Sequence, residues 1–107
     1  MAYDEKLDAR ITEIVADWGT TTKKMFGGTC HLLHGNMLCG VSKKSLIVRL
    51  GHEAGAAALE EPHTRPMDVT GRPMKGWVTV EPKGYEGDSL QNWLDRARTF
   101  VSTLPPK

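Results

Sequence analysis

The chain has 107 residues and a formal net charge of +1, with 39% hydrophobic and 25% charged residues. These values indicate one globular domain over residues 1–107 and argue against a strongly electrostatic nucleic-acid binder. No apolar run approaches the roughly 20 residues of a membrane-spanning helix, and the polar N-terminus is unlike a secretory signal. We therefore expect a cytoplasmic protein, without membrane contact, whose two cysteines are reduced thiols.

A helix is predicted near the N-terminus, because apolar side chains recur there at spacings of three and four. They form one stripe: Leu7, Ile11, Ile14, Val15 and Trp18. Asp4 is placed to cap the first turn, and Gly19 is placed to end the helix. The stripe predicts that one side of the helix packs on a core.

Residues 29–41 (TCHLLHGNMLCGV) predict two short antiparallel strands with a turn at Gly35–Asn36. In that register Leu32 faces Cys39 and Cys30 faces Val41. Both cysteines then share one face, which we expect to be the core face. Residues 45–51 (SLIVRLG) add a third strand to form a meander.

Residues 52–62 predict a short alanine-rich helix that ends at a proline. Residues 63–73 contain two Arg-Pro pairs and predict an exposed loop or edge segment, because proline removes an amide donor. A strand is predicted at Met74–Glu81. A last helix, with Asp88 and Ser89 as capping candidates, carries an apolar stripe that consists of Leu90, Trp93, Leu94, Ala97, Val101 and Leu104.

This order of elements predicts an α+β domain with two layers: an antiparallel sheet with N- and C-terminal helices packed on it. No change of composition marks a linker or a second domain. We therefore expect a single core between the sheet and the helices.

The glycine-rich stretch that holds Cys30, His31, His34 and Cys39 raises the question of chemistry. Its spacing matches no usual zinc pattern. In the predicted register the cysteines are diagonal, which does not favour a disulfide, and no acid is placed to orient a histidine base. We interpret both cysteines as small buried apolar residues and predict no catalytic residue, cofactor or metal site.

The second half of the chain offers a possible interaction surface. If Val78 and Val80 face the core, Trp77 lies on the outer face of its strand with Lys75, beside Arg65 and Arg72 of the preceding segment. An outward tryptophan near cations suits a base-stacking site or a protein interface. It is equally consistent with a ring covered by the chain itself.

Several segments together resemble the TfoX N-terminal domain family: KKMFGG (23–28), GNMLCGV (35–41), LIVRLG (46–51), RPMDVTGRPMKGWVTVEP (65–82) and FVSTLPPK (100–107). The resemblance covers nearly the whole chain. It implies a secretion-chaperone-like α+β domain that forms a homodimer. Longer family members are regulators of natural competence that act with a cyclic-AMP receptor protein at promoters and carry a second domain. The family provides no catalytic residue that can be placed on this sequence.

The resulting hypothesis is a non-enzymatic, homodimeric protein-interaction module, with a transcription regulator as a candidate partner. One alternative is nucleic-acid binding through the basic segment 65–77. Another is a small thiol-dependent enzyme or sensor that uses Cys30 or Cys39.

Overall fold

The computed structural model describes residues 4–25, 28–67 and 75–106. Its helices and strands are, in chain order, α1 (Glu5–Val15), β1 (Thr21–Met25), β2 (Gly28–Leu33), β3 (Asn36–Ser42), β4 (Ser45–Arg49), α2 (His52–Ala58), β5 (Thr64–Pro66), β6 (Trp77–Val80) and α3 (Ser89–Val101). The strands form one antiparallel sheet in the order β1-β2-β3-β4-β6-β5. The predicted α+β class, with a helix at each end, is confirmed.

The main core lies between the sheet and the terminal helices α1 and α3. The two helices contribute the predicted stripes, of which Leu7, Ile11, Val15, Leu90, Trp93, Leu94, Ala97 and Val101 are buried. The sheet contributes aliphatic residues to the same core: Val41, Leu46, Val48, Val78 and Val80. These positions alternate along their strands, so one face of the sheet is continuously apolar. Within the described ranges, no helix is long and apolar enough to cross a membrane.

The ends of the two helices follow the predicted signals to different degrees. The Asp4 carboxylate accepts from the backbone N–H groups of Lys6 and Leu7, which confirms it as the N-cap of α1. Asp88 occupies the N-cap position of α3, but its side chain makes no capping hydrogen bond. The capping prediction for α3 is therefore right about the residue and wrong about the interaction.

The predicted register of the β2–β3 hairpin is wrong. The turn falls at His34–Gly35, both at positive φ (52° and 83°), so Leu33 pairs with Asn36. A two-residue turn of this kind matches the right-handed twist of its strands. A bulge follows, since His31 pairs with Cys39 and Leu32 pairs with Met37.

This register separates the two cysteines. Cys39 belongs to the helix-facing core, whereas Cys30 pairs with Gly40 and lies outside that cluster. The bulge also places both Leu38 and Cys39 in the core, although they are neighbours in sequence. The two thiols therefore do not share a face of the sheet.

The edge strands were the hardest to predict. Strand β1 was missed because its threonines and lysines are exposed and show no apolar alternation. Of the exposed loop or edge segment predicted at residues 63–73, Thr64–Pro66 is confirmed as the edge strand β5, which pairs with β6. Met67 is buried, and residues 68–73 lie outside the described residues. The strand predicted at Met74–Glu81 is confirmed from Trp77 to Val80; Met74 lies outside the described residues.

One buried polar contact joins α1 to β2. The ring of His31 is 1% exposed, and its Nε2 lies 2.8 Å from Oδ1 of Asp8. The hydroxyl of Thr29 donates to the same oxygen at 2.7 Å. One carboxylate oxygen of Asp8 thus gives a hydrogen-bond partner to both His31 and Thr29. Without such a partner, burial of these polar side chains would be costly.

We predict that Asp8→Ala lowers the free energy of unfolding by about 1–3 kcal/mol, because it leaves His31 and Thr29 without their acceptor. The measurement is urea denaturation at neutral pH. Glu5→Ala is the matched control, because Glu5 is the other acid in the first turn of α1 and its side chain is exposed. We expect it to change the free energy of unfolding by less than about 0.5 kcal/mol. Equal losses in the two variants would contradict a structural role for the buried contact.

Candidate functional site

The structure brings together only part of the predicted interaction surface. Val78 and Val80 are fully buried, as predicted, and Trp77 is half-buried with Lys75 exposed beside it. Arg65 is exposed on β5, where its Nε donates to the carboxylate of Glu81. Arg72 lies outside the described residues.

Trp77 lines an open apolar groove between α2 and the β5–β6 edge of the sheet. The groove has a volume of about 250 Å³. We call it the Trp77 groove; its lining consists of His52, Gly55, Ala56, Leu59, Pro66, Lys75, Gly76 and Trp77. Leu59, with 38% of its surface accessible, is the one exposed large hydrophobic residue among those the structure describes. An apolar wall therefore reaches solvent at this point.

A smaller compartment of about 80 Å³ adjoins the Trp77 groove. Its lining includes Arg49, Phe100 and Gly51, and it shares His52, Lys75, Gly76 and Trp77 with the larger one. The guanidinium of Arg49 lies 5.2 Å from the centroid of the Trp77 ring and 5.9 Å from that of Phe100. These cation–π contacts hold the Arg49 guanidinium in the lining of the smaller compartment.

The backbone around Gly76 explains why α2 lies against the sheet here. The carbonyl of Gly76 accepts from the N–H groups of both Leu50 and Gly51, at 2.8 and 3.1 Å. A Cβ atom at Gly55 would lie only 3.0 Å from the Gly76 Cα. The absence of a side chain at Gly55 therefore allows α2 to pack closely against the backbone at Gly76. This contact fixes the distance between α2 and Trp77.

Gly51 also determines the shape of the small compartment. Its φ of 89° lies in the region that glycine adopts without steric cost. A Cβ atom there would lie 2.6 Å from the Phe100 ring. Gly51 therefore allows both the turn into α2 and the packing of Phe100.

The described lining of the small compartment contains two basic side chains, Arg49 and Lys75, and the imidazole of His52. Among the residues described, no carboxylate lines either compartment, and neither Arg49 nor Lys75 forms a salt bridge. The site therefore combines an apolar wall with unpaired cations.

Sequence reasoning missed Arg49, Leu59 and Phe100. Arg49 lies inside the predicted strand 45–51, and Leu59 lies inside the predicted helix 52–62, so both were assigned to their own elements. Their proximity to Trp77 depends on the pairing of β4 with β6, in which Arg49 lies opposite Trp77. The only sequence signal was a charged residue at the end of an otherwise apolar strand.

The cysteines show no sign of activation. Both are free and buried. Burial raises the pKa of the Cys30 thiol from 9.0 to about 11. Burial also raises the pKa of Cys39, as do the nearby charges of Cys30 and Asp8. A protonated, buried thiol is a poor nucleophile, which disfavours the thiol-dependent alternative.

Metal binding has no visible basis in the described ranges. They contain no group of three or more histidine, cysteine or acidic side chains that could hold an ion. The prediction that no acid is placed to orient a histidine is wrong for His31, because its Nε2 contacts Asp8 of α1, 23 residues earlier in the chain.

The family model of the TfoX N-terminal domain matches residues 13–101. The chain belongs to the TfoX N-terminal domain family. The match runs from within α1 to the last residue of α3, so the strands and helix that form the Trp77 groove lie inside the TfoX N-terminal domain. A search of curated proteins found no significant match to the chain.

We predict that Gly51→Ala destabilises the protein more than Gly19→Ala does. Both glycines have a positive φ, 89° and 77°, and Gly51 has in addition a ψ of 165°, a backbone region that is essentially restricted to glycine. Only at Gly51 does the added methyl group also meet a side chain, since no atom of the described structure lies within 4 Å of a Cβ at Gly19. Urea denaturation should show an additional loss of about 1 kcal/mol or more for Gly51→Ala. Equal losses would contradict the packing of Phe100 against this turn.

We also predict that the free energy of unfolding falls as the pH rises from 9.0 toward 11. The unfolded chain releases the Cys30 proton near pH 9.0, whereas the folded chain keeps it until about pH 11. The stabilising effect is thus complete below pH 9.0 and is lost above it. Burial also raises the pKa values of Cys39 and Tyr85, so both residues contribute to the same slope. Cys30→Ala should therefore make this pH dependence less steep without removing it in a series of urea denaturations.

Val41→Ala is the control for this titration, because it removes core packing without removing a titrating group. We expect it to lower stability by a similar amount at every pH in the window. If Cys30→Ala retained the full alkaline slope, the assignment of that slope to the thiol would be wrong.

Proposed function

We propose that the chain is a non-enzymatic protein-interaction module and that the Trp77 groove is its docking site. The observation that carries the proposal is the apolar wall of Leu59 and Trp77, which remains open to solvent in a folded domain. An apolar pocket that is open to solvent and bordered by polar residues is a common form of binding site. Transcription regulators are a candidate class of partner because of the resemblance stated above.

The size of the groove supports docking of a protein side chain. Small-molecule sites usually measure about 300–1,000 Å³ and enclose most of their ligand. The Trp77 groove is smaller, about 250 Å³, and open on one side. It suits one large apolar side chain of a partner, which is how many protein interfaces anchor themselves.

The non-enzymatic part of the proposal depends on the chemistry of the groove. Its walls are aliphatic, aromatic or cationic, and they contain no carboxylate or thiol in the part of the chain described. His31 and the partly buried Asp8 form a contact between α1 and the sheet, and Cys39 is buried in the helix-facing core. None of these three residues lines either compartment of the groove.

The nucleic-acid alternative receives less support from the same residues. Arg65 is engaged with Glu81, and the guanidinium of Arg49 already lies over the Trp77 ring. A stacked base would compete with that cation–π contact. We therefore rank a protein partner above a nucleic acid.

The groove is a better candidate for protein contact than either free edge of the sheet. In a two-fold antiparallel pairing centred on β1, the exposed Lys23 would lie opposite its own copy. Like charges opposite each other destabilise such a pair. At the other edge, Pro66 of β5 lacks an amide donor, which limits strand addition.

The test is a selection from a peptide display library, followed by titration of the selected peptides against two variants. Ala56 and Ala57 are both exposed on α2, but only Ala56 lines the groove. We expect Ala56→Glu to weaken binding by about tenfold or more, equivalent to about 1.4 kcal/mol, because a carboxylate then intrudes on the apolar wall. Ala57→Glu should leave the affinity within about twofold.

Three outcomes would contradict the proposal or change it. Failure to enrich any peptide, or equal losses in the two variants, would remove the groove as the docking site. Tight, salt-dependent binding of a labelled DNA duplex would favour the nucleic-acid alternative. Sedimentation of both variants shows whether the groove instead holds a second copy, because Ala56→Glu would then dissociate a dimer.

A further inference from the structure

We propose that the Trp77 groove receives the C-terminal residue of a partner polypeptide. The apolar side chain of that residue occupies the larger compartment, and its α-carboxylate occupies the smaller, cationic one. This inference depends on the proposed function, since it names the partner chemistry at the same site.

The first argument is that the compartments differ in chemistry but share a boundary. The larger has aliphatic and aromatic walls from Leu59, Pro66 and Trp77. The smaller adds the guanidinium of Arg49 and is about 80 Å³ in volume. This exceeds the ~30 Å³ share of one water molecule and is sufficient for a carboxylate group. A matching ligand therefore has an apolar body joined closely to a compact anion.

The second argument is that the cations are available to an incoming anion. Arg49 is held over Trp77 by stacking, which leaves its N–H donors without a carboxylate partner in the described structure. Lys75 is exposed and likewise has no salt bridge among the residues described. Hydrogen bonds from such cations to a carboxylate are about twice as strong as neutral ones.

The third argument concerns described acids on or next to the elements that form the groove. Glu61 follows α2 but pairs with Arg96 at 2.7 Å. Glu81 follows β6 but pairs with Arg65. Glu53 is exposed on α2 and is absent from both linings. The positive charge of the small compartment is therefore not neutralised by these neighbouring carboxylates.

The fourth argument distinguishes a chain terminus from an acidic side chain. The two compartments share His52, Lys75, Gly76 and Trp77, so the apolar group and the anion must be close together. In a C-terminal residue the carboxylate is bonded to the same Cα that carries the side chain. In an internal Asp or Glu, the carboxylate is separated from a neighbouring apolar side chain by the backbone and by its own methylene groups. A free C-terminus fits the short separation better, and chain termini are a known class of recognition element.

The test is an NMR titration of the isotopically labelled full chain with N-acetyl-tryptophan and N-acetyl-leucine, which mimic a C-terminal residue. The matching N-acetyl amino-acid amides have the same apolar group without the negative charge. We expect the acids to shift the indole N–H resonance of Trp77 and to bind at least about fivefold more tightly than the amides.

Two lysine variants provide the matched controls. Lys75→Glu should abolish the preference for the acids, because it replaces a cation of the small compartment by an anion. Lys83→Glu makes the same change at an exposed lysine outside both linings, and it should retain the preference. The amide–proton spectra of both variants show whether each remains folded.

The outcomes separate this inference from the proposed function. If acids and amides bind the groove equally, the groove is a docking site but the carboxylate assignment is wrong. If a peptide display selection yields internal sequences that bind as well with an amidated C-terminus, the terminus assignment is wrong and the groove remains. If no apolar probe shifts any resonance of the groove and no peptide is selected, both proposals fail.

Discussion

The contact on which the candidate site depends is the convergence of two N–H groups on the carbonyl of Gly76. Leu50 and Gly51 both donate to it, so the end of β4, the start of α2 and the approach to β6 meet at one atom. Glycine at 51, 55 and 76 leaves space for this backbone to come together. The approach places Trp77 beside α2 instead of burying it beneath the helix, and the result is a groove with a half-buried aromatic wall.

The charges around that wall give the groove its chemical character. Arg49 lies opposite Trp77 in the sheet and stacks on its ring, while neighbouring acids such as Glu61 and Glu81 are paired with other arginines. A cation held by stacking keeps its hydrogen-bond donors for a ligand. The edges of the sheet are protected by exposed lysines on β1 and by Pro66 on β5. Interaction through side chains in the groove is therefore better supported than addition of a strand.

The residues that raised the question of catalysis make contacts inside the domain. His31 and Thr29 share the carboxylate of Asp8 and so connect α1 to the sheet. Cys39 lies in the same core, where burial raises the pKa of its thiol. The groove that is open to solvent lies at another part of the sheet and contains none of these groups. The histidine and thiol groups thus lie in the interior, whereas the open groove is lined by apolar and cationic side chains. This separation is the basis for proposing a binding module in preference to an enzyme.

The sequence by itself determined the helices, the central strands and the α+β class, because apolar periodicity reports which face of each element is buried. It also indicated that Trp77 points away from the valines beside it. It failed at β1, whose threonines and lysines are exposed. It also failed at the hairpin, where a turn at His34–Gly35 and a bulge place Cys30 and Cys39 on different sides of the sheet. The family resemblance, carried by motifs spread over most of the chain, was also available from the sequence. Only the tertiary structure decided that Arg49, Leu59 and Phe100 meet Trp77, because that meeting depends on strand order and on close backbone contacts between residues far apart in the chain.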